Sequence, residues 1–471
     1  MGLPNVMQIG RSGMNAAKAG IATSGHNIAN ANTEGFSRQR VEISAQGPVG
    51  SKGKGAMGQG VNISRVSRLN DEYIDKQVRA AGRDLAAGEE RDLVLKQTED
   101  VFNEMGGEGL NRLMSHFFNE FRKLSNEPEN EAIRQSVRES TQAVVNDFKR
   151  LRGEVESVRE HIDSRIEGHA KEVNLLAGEV KDLNIKIKTM EINGTPANDL
   201  MDRRDQILKD LSTKMDLNTH KDAEGNYVID IKGVGPLVVG SEVQNFNVQR
   251  TAGDENGKKE GSLDVMSSAS ANGVVTHQIK GGKIGALLDT RDKTLTGVLD
   301  RLDDLAYSLA DSVNQIHEMG FTRDGRQGVS FFTKLNQKER AAEFIDLSDS
   351  IKSSVNAIAT AALPDSPGDN RIAVAVSGLQ NLQLMNGGKA SMDDFYNSIV
   401  SDIGVTTAHN KENLTQQKDI LTQLNKMRDQ VSGVSIDEET TNLMQFQHSF
   451  DASAKVIQVA DDLLKTVLNM R

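Results

Sequence analysis

Cysteine and tryptophan are absent from this chain of 471 residues, and aromatic residues make up only 4% of it. The absence of cysteine excludes disulfide bonds, thiolate metal sites and cysteine nucleophiles. No run of about 18 apolar residues occurs, so we expect no transmembrane helix and no membrane partner. The N-terminal segment also lacks the charged start and apolar core of a secretory signal, so any export would use another route.

A basic charge balance is also lacking, because the formal net charge is -11 at pH 7. A nucleic-acid-binding protein shows a basic face, so we expect no nucleic-acid partner. The chain is too long for one compact core, which favours two to four domains. Its hydrophobic content of 37%, with few aromatic residues, fits an elongated protein with much surface.

Catalytic motifs are lacking too. The segment "GKGAMG" matches the dinucleotide-binding fingerprint at Gly53, Gly55 and Gly58, but polar residues precede it and a strand-like segment follows, which favours a loop. His161 and His169 have no third metal ligand nearby in the sequence. The "DRRD" segment at 202–205 is interpreted as a helical ion-pair network. We therefore expect no enzyme activity, no cofactor and no metal site.

The N-terminal segment shows an apolar repeat of seven residues. Larger apolar residues recur at Met7, Met14, Ile21 and Ile28, and small residues occupy the alternate positions Gly10, Ala17, Ser24 and Ala31. This heptad pattern predicts a helix whose small residues let another backbone approach closely. An ordinary amphipathic helix on a globular core is the alternative that periodicity alone leaves open.

The C-terminal segment carries a heavier apolar repeat. Its members follow strict three- and four-residue steps: Leu443, Phe446, Phe450, Ser453, Ile457, Ala460, Leu464 and Val467. Chain ends are usually polar and frayed, whereas here both ends carry apolar stripes, bulky at one end and small at the other. We expect the two terminal helices to pair and to leave an apolar face for another molecule, as in a subunit of an assembly.

The sequence "HNIANANTEGF" follows the N-terminal repeat. Asn27, Asn30 and Asn32 precede Gly35 and Phe36. Asparagine and glycine enter the left-handed backbone region most easily and end helices there. The pattern predicts that the first helix ends in this segment and that Phe36 anchors the bend.

The composition and apolar periodicity of the remaining chain predict a mainly α, elongated, multidomain fold. We expect an axial domain of paired, coiled-coil-like terminal helices from residues 1–35 and 440–471. A discontinuous helical domain would comprise 36–212 and 284–439, with β structure near 36–70 and 321–366. Residues 213–283 form a small β-rich insertion.

Three finer predictions concern the second helical restart and the insertion. Thr195 or Asn198 is expected to cap the helix that restarts within "NGTPANDLMDRRDQILKDL". "DAEGN", at 222–226, is the best hairpin turn. "GVVTHQIKGG", at 273–282, is expected to contribute β structure with its alternating β-branched residues.

Several segments of the sequence resemble those of a known family. "SGHNIANANTEGFSRQRV" resembles the N-terminal signature shared by flagellar rod, hook and hook-associated proteins. "NDLMDRRDQILKDLS", the segment from "GGKIGALLDTRD" to "QIHEMGF", and the C-terminal segment are similar to the hook-associated protein 1 (FlgK) family. Within them, a Val-Asn-x-x-His-x-x-Gly element falls on Val313, Asn314, His317 and Gly320, and a Ser-Gly-Val-x-x-Asp-Glu-Glu element falls on 432–439.

The resemblance implies a structural subunit of the bacterial flagellum, in the hook–filament junction layer next to the hook. In this family the terminal helices line the wall of a tube, and the turn formed by Asn27, Ile28, Asn30, Asn32, Gly35 and Phe36 redirects the chain outward. The implied partners are the hook protein, a second junction protein of the hook-associated protein 3 type and neighbouring copies of the chain. A cytoplasmic export chaperone on the C-terminal helix and secretion through the flagellar type III pathway are implied as well.

The alternative functions belong to other structural classes. A hook protein or a flagellin-like subunit would share the terminal stripes but lack the central "NDLMDRRDQ" and "VNQIHEMGF" elements. An unrelated coiled-coil scaffold would not explain the β-rich insertion. The insertion is short, which implies that the outer domain of longer family members is absent.

Overall fold

The computed structural model describes residues 3–47, 58–103, 109–223, 226–250, 263–268 and 273–469. Most of the "GKGAMG" segment, including Gly53 and Gly55, lies outside these residues. Helices dominate the described part of the chain. In order they are α1 (Leu3–Ala29), α2 (Glu72–Phe102), α3 (Leu110–Asn126), α4 (Glu131–Ile192), α5 (Asn198–Lys214), α6 (Gly282–Asp289), α7 (Thr296–Glu318), α8 (Ala341–Phe344), α9 (Asp349–Ser353), α10 (Arg371–Gly378), α11 (Met392–Ser432) and α12 (Ile436–Asn469).

The strands form small antiparallel sheets. They are β1 (Gln39–Ala45), β2 (Val61–Arg68), β3 (Leu217–Lys221), β4 (Tyr227–Ile231), β5 (Gly235–Val239), β6 (Glu242–Val243), β7 (Phe246–Arg250) and β8 (Leu263–Ser267). β1 pairs with β2, β3 to β6 form one sheet in sequence order, and β7 pairs with β8. The mainly α fold with a small β-rich insertion, expected from the sequence, is confirmed.

The chain forms two compact units. The first comprises Met1–Ala86, His169–Lys283 and Gln416–Arg471, and the second comprises Ala87–Gly168 and Ile284–Thr415. The limit between residues 283 and 284 is the one drawn by composition, whereas the limits after 86, 168 and 415 differ from those drawn at 35, 212 and 439. These three limits fall inside α2, α4 and α11, because a helix continues through a boundary without any change of local sequence. The β-rich insertion and the terminal helices belong to the same unit.

The first unit joins the insertion to the long helix α4 through asparagine side chains. Asn174 of α4 accepts a hydrogen bond from the Phe246 N–H at 2.8 Å and donates one to the Phe246 carbonyl at 2.6 Å. Asn184, which lies further along α4, donates to the Gly240 carbonyl at 3.0 Å. The half-buried Asn174 and the buried Asn184 therefore take the place of a neighbouring strand for the insertion.

The second unit has an aromatic interior. Its phenylalanines meet mainly edge-on, with ring centroids 5.0 to 5.4 Å apart in the closest pairs, and their side chains are fully buried: Phe117, Phe118, Phe121, Phe331 and Phe332. Asn314 fixes the Phe331–Phe332 segment, because its Oδ1 accepts both backbone N–H groups at 2.8 Å. The motif seen in the sequence at 313–320 therefore serves packing.

His317 of that motif is also buried in the second unit. Its Nε2 accepts the Ala359 N–H at 2.7 Å, and its Nδ1 donates to the Val329 carbonyl at 2.6 Å. These two bonds require the neutral ring, and burial lowers the pKa of His317 to about 4. A neutral histidine thus holds two irregular segments against α7.

One local prediction was wrong, and another held only in part. Neither Thr195 nor Asn198 caps α5: the preceding residue is Ala197, and the Asn198 side chain instead donates to the Val66 carbonyl. A tertiary partner has replaced the local cap. The segment at 273–282 contains only an isolated bridge at Val274 and otherwise turns, because glycines at both of its ends adopt positive φ. The "DAEGN" turn does connect β3 and β4, although residues 224–225 lie outside the described part.

Candidate assembly interface: the terminal helix pair and the signature turn

The terminal helices α1 and α12 pack against each other in antiparallel orientation. Gly10 lies against Ile457, whereas Gly20, which comes later in α1, lies against Phe446, which comes earlier in α12. The residues of α1 on this face follow three- and four-residue steps and are all small or polar: Gly10, Gly13, Ala17, Gly20, Ser24 and Asn27. We call this the small-residue face.

Glycine on this face is required by the close approach of α12. A Cβ atom at Gly20 would lie 2.6 Å from three ring carbons of Phe446, and one at Gly10 would lie 2.7 Å from Cγ1 of Ile457. At Gly13 it would lie 2.8 Å from the Ser453 hydroxyl. Distances under 3.0 Å are not tolerated without movement, so the bulk of α12 fills the space that missing side chains of α1 leave.

The structure places the larger residues of the N-terminal repeat beside the small-residue face. Met7, Met14, Ile21 and Ile28 are only half-buried, whereas Ala17 and Ser24 are buried. The contact with α12 is therefore made by the residues directly before Met14, Ile21 and Ile28, and not by these larger residues themselves. The shared positions, such as Gly10 and Ala17, are the small ones, and Ala31 lies beyond the end of α1.

The C-terminal repeat lies along the contact for most of its length. Leu443, Phe446, Phe450, Ser453, Ile457 and Leu464 are half-buried, and Ala460 is buried. Val467 is 57% exposed. Four exposed apolar residues of α12 follow three- and four-residue steps and form what we call the outer face: Val456, Val459, Leu463 and Val467.

The end of the helix pair is closed by Asn27. This side chain is only 1% exposed. Its Oδ1 accepts the Gln39 N–H at 3.0 Å, and its Nδ2 donates to the Gln39 carbonyl at 2.9 Å and to Glu439 at 3.2 Å. One amide therefore ties α1, the start of β1 and the first turn of α12 together.

Glu439 carries the opposite half of this contact. It is 2% exposed and pairs with the Arg38 guanidinium at 2.7 Å. Arg38 also reaches Glu438 at 2.8 Å, and its backbone N–H donates to the Ser432 carbonyl at 2.9 Å. A buried carboxylate held by both a guanidinium and an amide is fully paired, which offsets its desolvation.

The turn predicted from the Asn-rich segment comes directly after α1. α1 ends at Ala29, and the Asn30 side chain donates to the His26 carbonyl, one of the last of the helix. Gly35 adopts φ of +82°, and a Cβ there would approach the Gln206 side chain at 2.9 Å. Phe36 is half-buried and packs edge-on against His26, with centroids 5.4 Å apart, while Asn32 is exposed.

Helix α5 clamps the turn from the other side, and sequence reasoning missed this role. Asp202 accepts the Ser37 N–H at 3.0 Å and pairs with Arg68 at 2.7 Å. Arg68 also pairs with Asp205 at 2.9 Å. Burial raises the pKa of Asp202, and the bonds from Ser37 and Arg68 offset part of that effect. The "DRRD" segment thus makes contacts between elements and not along its own helix.

The hairpin β1–β2 is attached to α1 as well. The Ser12 hydroxyl accepts the Val61 N–H at 3.2 Å and donates to the Ile9 carbonyl at 2.9 Å. Gly60, with φ of +94°, lies so close to Ser12 that a Cβ would be 2.2 Å from the hydroxyl oxygen. The hairpin, the turn and both terminal helices therefore form one connected arrangement.

The described residues offer no arrangement suited to metal chemistry. Within them, no group of three or more His, Asp or Glu side chains is placed to hold a metal ion. No helix of the described part is long and apolar enough to span a membrane. The features that stand out are contact surfaces.

Family models match three parts of the chain. The model described as "Flagellar hook-associated protein FlgK helical domain" matches residues 95–332, about half of the chain. "Flagella basal body rod protein" matches 7–36, which contains α1 beyond its first turn and the signature turn. "Flagellar basal body rod FlgEFG protein C-terminal" matches 429–470, which contains α12. The matched termini coincide with the helix pair described above.

Whole-chain relatives give the same result. "Flagellar hook-associated protein 1" of Bacillus subtilis is 28% identical over 493 residues, covering 98% of this chain and 97% of the relative. The Salmonella typhimurium and Escherichia coli proteins of that name are each 25% identical, with 98% of both chains covered. The solved structure of the flagellar hook junction protein FlgK from Burkholderia pseudomallei aligns with a TM-score of 0.66 at 15% identity. That alignment covers 76% of this chain and 100% of that one, a likeness of fold.

Proposed function

The chain belongs to the FlgK family of flagellar hook-associated proteins, and from that premise we propose that it acts as a structural subunit of the hook–filament junction, in the layer next to the hook. The observation that carries the proposal is the α1–α12 pair. These two helices, which lie in the segments that the family models match, are joined by the small-residue face of α1 and by a buried contact between Asn27 and Glu439. Such a pair presents the termini as one unit for assembly.

Neighbouring copies of the chain are proposed to contact the outer face of α12. Val459 and Leu463 are each about half exposed on this face. Large contiguous apolar surface on a soluble chain marks a contact site. A ring of subunits would bury these residues between adjacent helix pairs.

The hook protein and a second junction protein of the hook-associated protein 3 type are the proposed axial partners. We further propose that the chain is made in the cytoplasm and exported through the flagellar type III pathway. A cytoplasmic chaperone would cover α12 before export, because the same apolar outer face is an aggregation hazard in the free chain. The final location is the flagellum outside the cell.

Complementation of a deletion strain, examined by electron microscopy, tests the junction role. Loss of filaments with hooks still present, restored by the full chain, is the expected result. Loss of hooks would favour the hook-protein alternative. Hooks and filaments both unchanged in the deletion strain would contradict the proposal.

The paired variant Phe446→Asp with Phe450→Asp tests the helix pair itself. Phe446 lies on Gly20, so a carboxylate there is placed in a packed contact at a cost of several kcal/mol. We expect hooks to remain, filaments to be lost and later axial subunits to leak into the medium. Circular dichroism of the soluble chain should stay nearly unchanged.

The matched control is Gln447→Asp with Ser449→Asp, which alters exposed positions of the same helix. This control should build filaments. The Phe446 and Phe450 variant must first be detected outside the cell, since poor chaperone binding could block export. Normal filaments from the exported variant would show that this contact is not needed for assembly.

A further inference from the structure

A cleft in the first unit contains positive charge that forms no ion pair with a carboxylate among the described residues. It has a volume of about 660 Å³ and lies where the start of α2, the end of α4, α5 and the sheet β3–β6 converge. Arg204 of α5 lines this cleft and is only 7% exposed. The helix pair and the signature turn do not use this side chain.

Arg204 is an incompletely satisfied buried cation. Its Nη1 donates to Asn184 at 3.1 Å and its guanidinium lies 3.9 Å above the Tyr227 ring, but its buried Nε–H has no described hydrogen-bond partner. Burial lowers the pKa of Arg204, and the nearby Asp205 and Glu191 counter this only partly. A buried cation without a paired anion is costly, and an orphaned buried donor calls for an unseen partner.

Two lysines line the same cleft as Arg204. Lys188 of α4 donates to Asn226 at 2.7 Å, and Lys221 of β3 is the direct cross-strand partner of Tyr227. Both lysines line the cleft and are exposed at its rim. Among the described residues, none of the three cations has a carboxylate within 4.0 Å.

The carboxylates that line the cleft form no ion pair with this cluster among the described residues. They are Glu72, Asp75, Glu191 and Asp205. Asp205 is already paired with Arg68, and Asp75 lies 3.9 Å from Arg428. Arg204 at the base and the two lysines at the rim supply three cationic groups to one cleft, and such groups are the usual partners of a carboxylate or a phosphate.

We propose that this cleft is an anion-binding site, in which Arg204, Lys188 and Lys221 hold a carboxylate or phosphate group. The anion has two possible sources, which share this chemistry. It is either a free small anion or an acidic side chain of a second copy of the chain. Tyr227 forms the wall on which the Arg204 guanidinium is stacked.

Phosphate titration of the full chain tests the first source. Inorganic phosphate is added at pH 7 against sodium chloride of equal ionic strength, and binding is followed by calorimetry and by the midpoint of thermal unfolding. Saturable binding is expected, at least tenfold weaker in the variant Lys188→Gln with Lys221→Gln. Lys186→Gln with Lys418→Gln removes the same charge from exposed positions outside the cleft and should bind like the original chain.

Sedimentation velocity without phosphate tests the second source. If a second copy supplies the carboxylate, self-association should weaken at least tenfold in the rim variant and in added phosphate, but not in the control variant. Arg204→Gln gives an independent readout where circular dichroism shows that it folds, and it should abolish the same binding. The proposal is overturned if the rim variant and the control are indistinguishable in both measurements.

Discussion

The interior of the second unit is built from phenylalanine, whereas α1 contributes only glycine, alanine, serine and one asparagine to its contact with α12. In the second unit Phe117, Phe121 and Phe331 have no exposed surface. Along α12, by contrast, most apolar residues of the contact are only half-buried, and an outer face stays in solvent. The two regions therefore depend on different terms of the folding free energy.

This difference indicates where each region obtains its specificity. Burial of large side chains stabilises the second unit without any other molecule. The terminal pair buries little and instead uses close backbone approach and the polar contact of Asn27 with Glu439. A region of this kind tolerates fraying alone and gains its full stability with neighbours. Four changes test the comparison, in order of decreasing expected effect on folding.

Phe331→Ala should have the largest effect. The side chain contacts Phe121, Phe332 and the His317 ring, so its removal leaves a cavity in a closed core. We expect the free energy of unfolding, measured with urea, to fall by about 3–5 kcal/mol. Phe344→Ala, at a site 54% exposed, is the control and should cost far less. Similar small losses at both sites would mean that the aromatic interior is not the source of stability.

Acidification should weaken the second unit next. The folded-state pKa of His317 is about 4, below the ordinary value of 6.5, so the unfolded chain binds more protons between these values. Stability contributed by the neutral ring is thus present above about pH 6.5 and lost as the pH falls to about 4. The expected loss is about 3 kcal/mol. Urea unfolding at several pH values measures it.

His317→Gln is the reference for that measurement, because other groups titrate in the same range. The variant should be less stable at pH 7 but should lack this part of the pH slope. Parallel pH profiles for the two proteins would show that His317 does not cause the acid sensitivity.

Gly20→Ala should act on the terminal pair alone. The added Cβ would lie 2.6 Å from the Phe446 ring, and overpacking of this kind costs about 1–3 kcal/mol. Amide hydrogen exchange in α1 and α12 should become faster, while exchange in the second unit stays the same. Gly25→Ala has nothing within 4 Å and should leave exchange equal or slower. Equal behaviour of the two variants would contradict the close packing.

Val459→Ser with Leu463→Ser should have the smallest effect on folding. Both side chains are about half exposed on the outer face, so the free energy of unfolding should change by less than about 0.5 kcal/mol. Filament formation in a complemented deletion strain should nevertheless fail, whereas Lys455→Ser on the same helix should support it. A stable variant that forms normal filaments would remove the outer face from the assembly contacts.

Local pattern in the sequence determined the elements and the class of the protein. Heptad spacing identified α1 and α12 as helices, and the Asn-rich segment ended α1 at Ala29, within the predicted turn. The cause is that helical periodicity and left-handed backbone preference act over a few residues. The signature motifs carried the family for the same reason, since they are short and contiguous.

Tertiary structure decided which residues meet. The contact stripe of α1 runs through Gly13 and Gly20, and not through Met14 and Ile21, because the approach of a bulky partner helix rewards missing side chains. The Asn27–Glu439 hydrogen bond joins residues 412 positions apart. Asp202 holds the backbone of Ser37 from 165 positions away. A polar side chain gives no sign of its partner in the sequence, because its pairing energy exists only once packing has removed water from both.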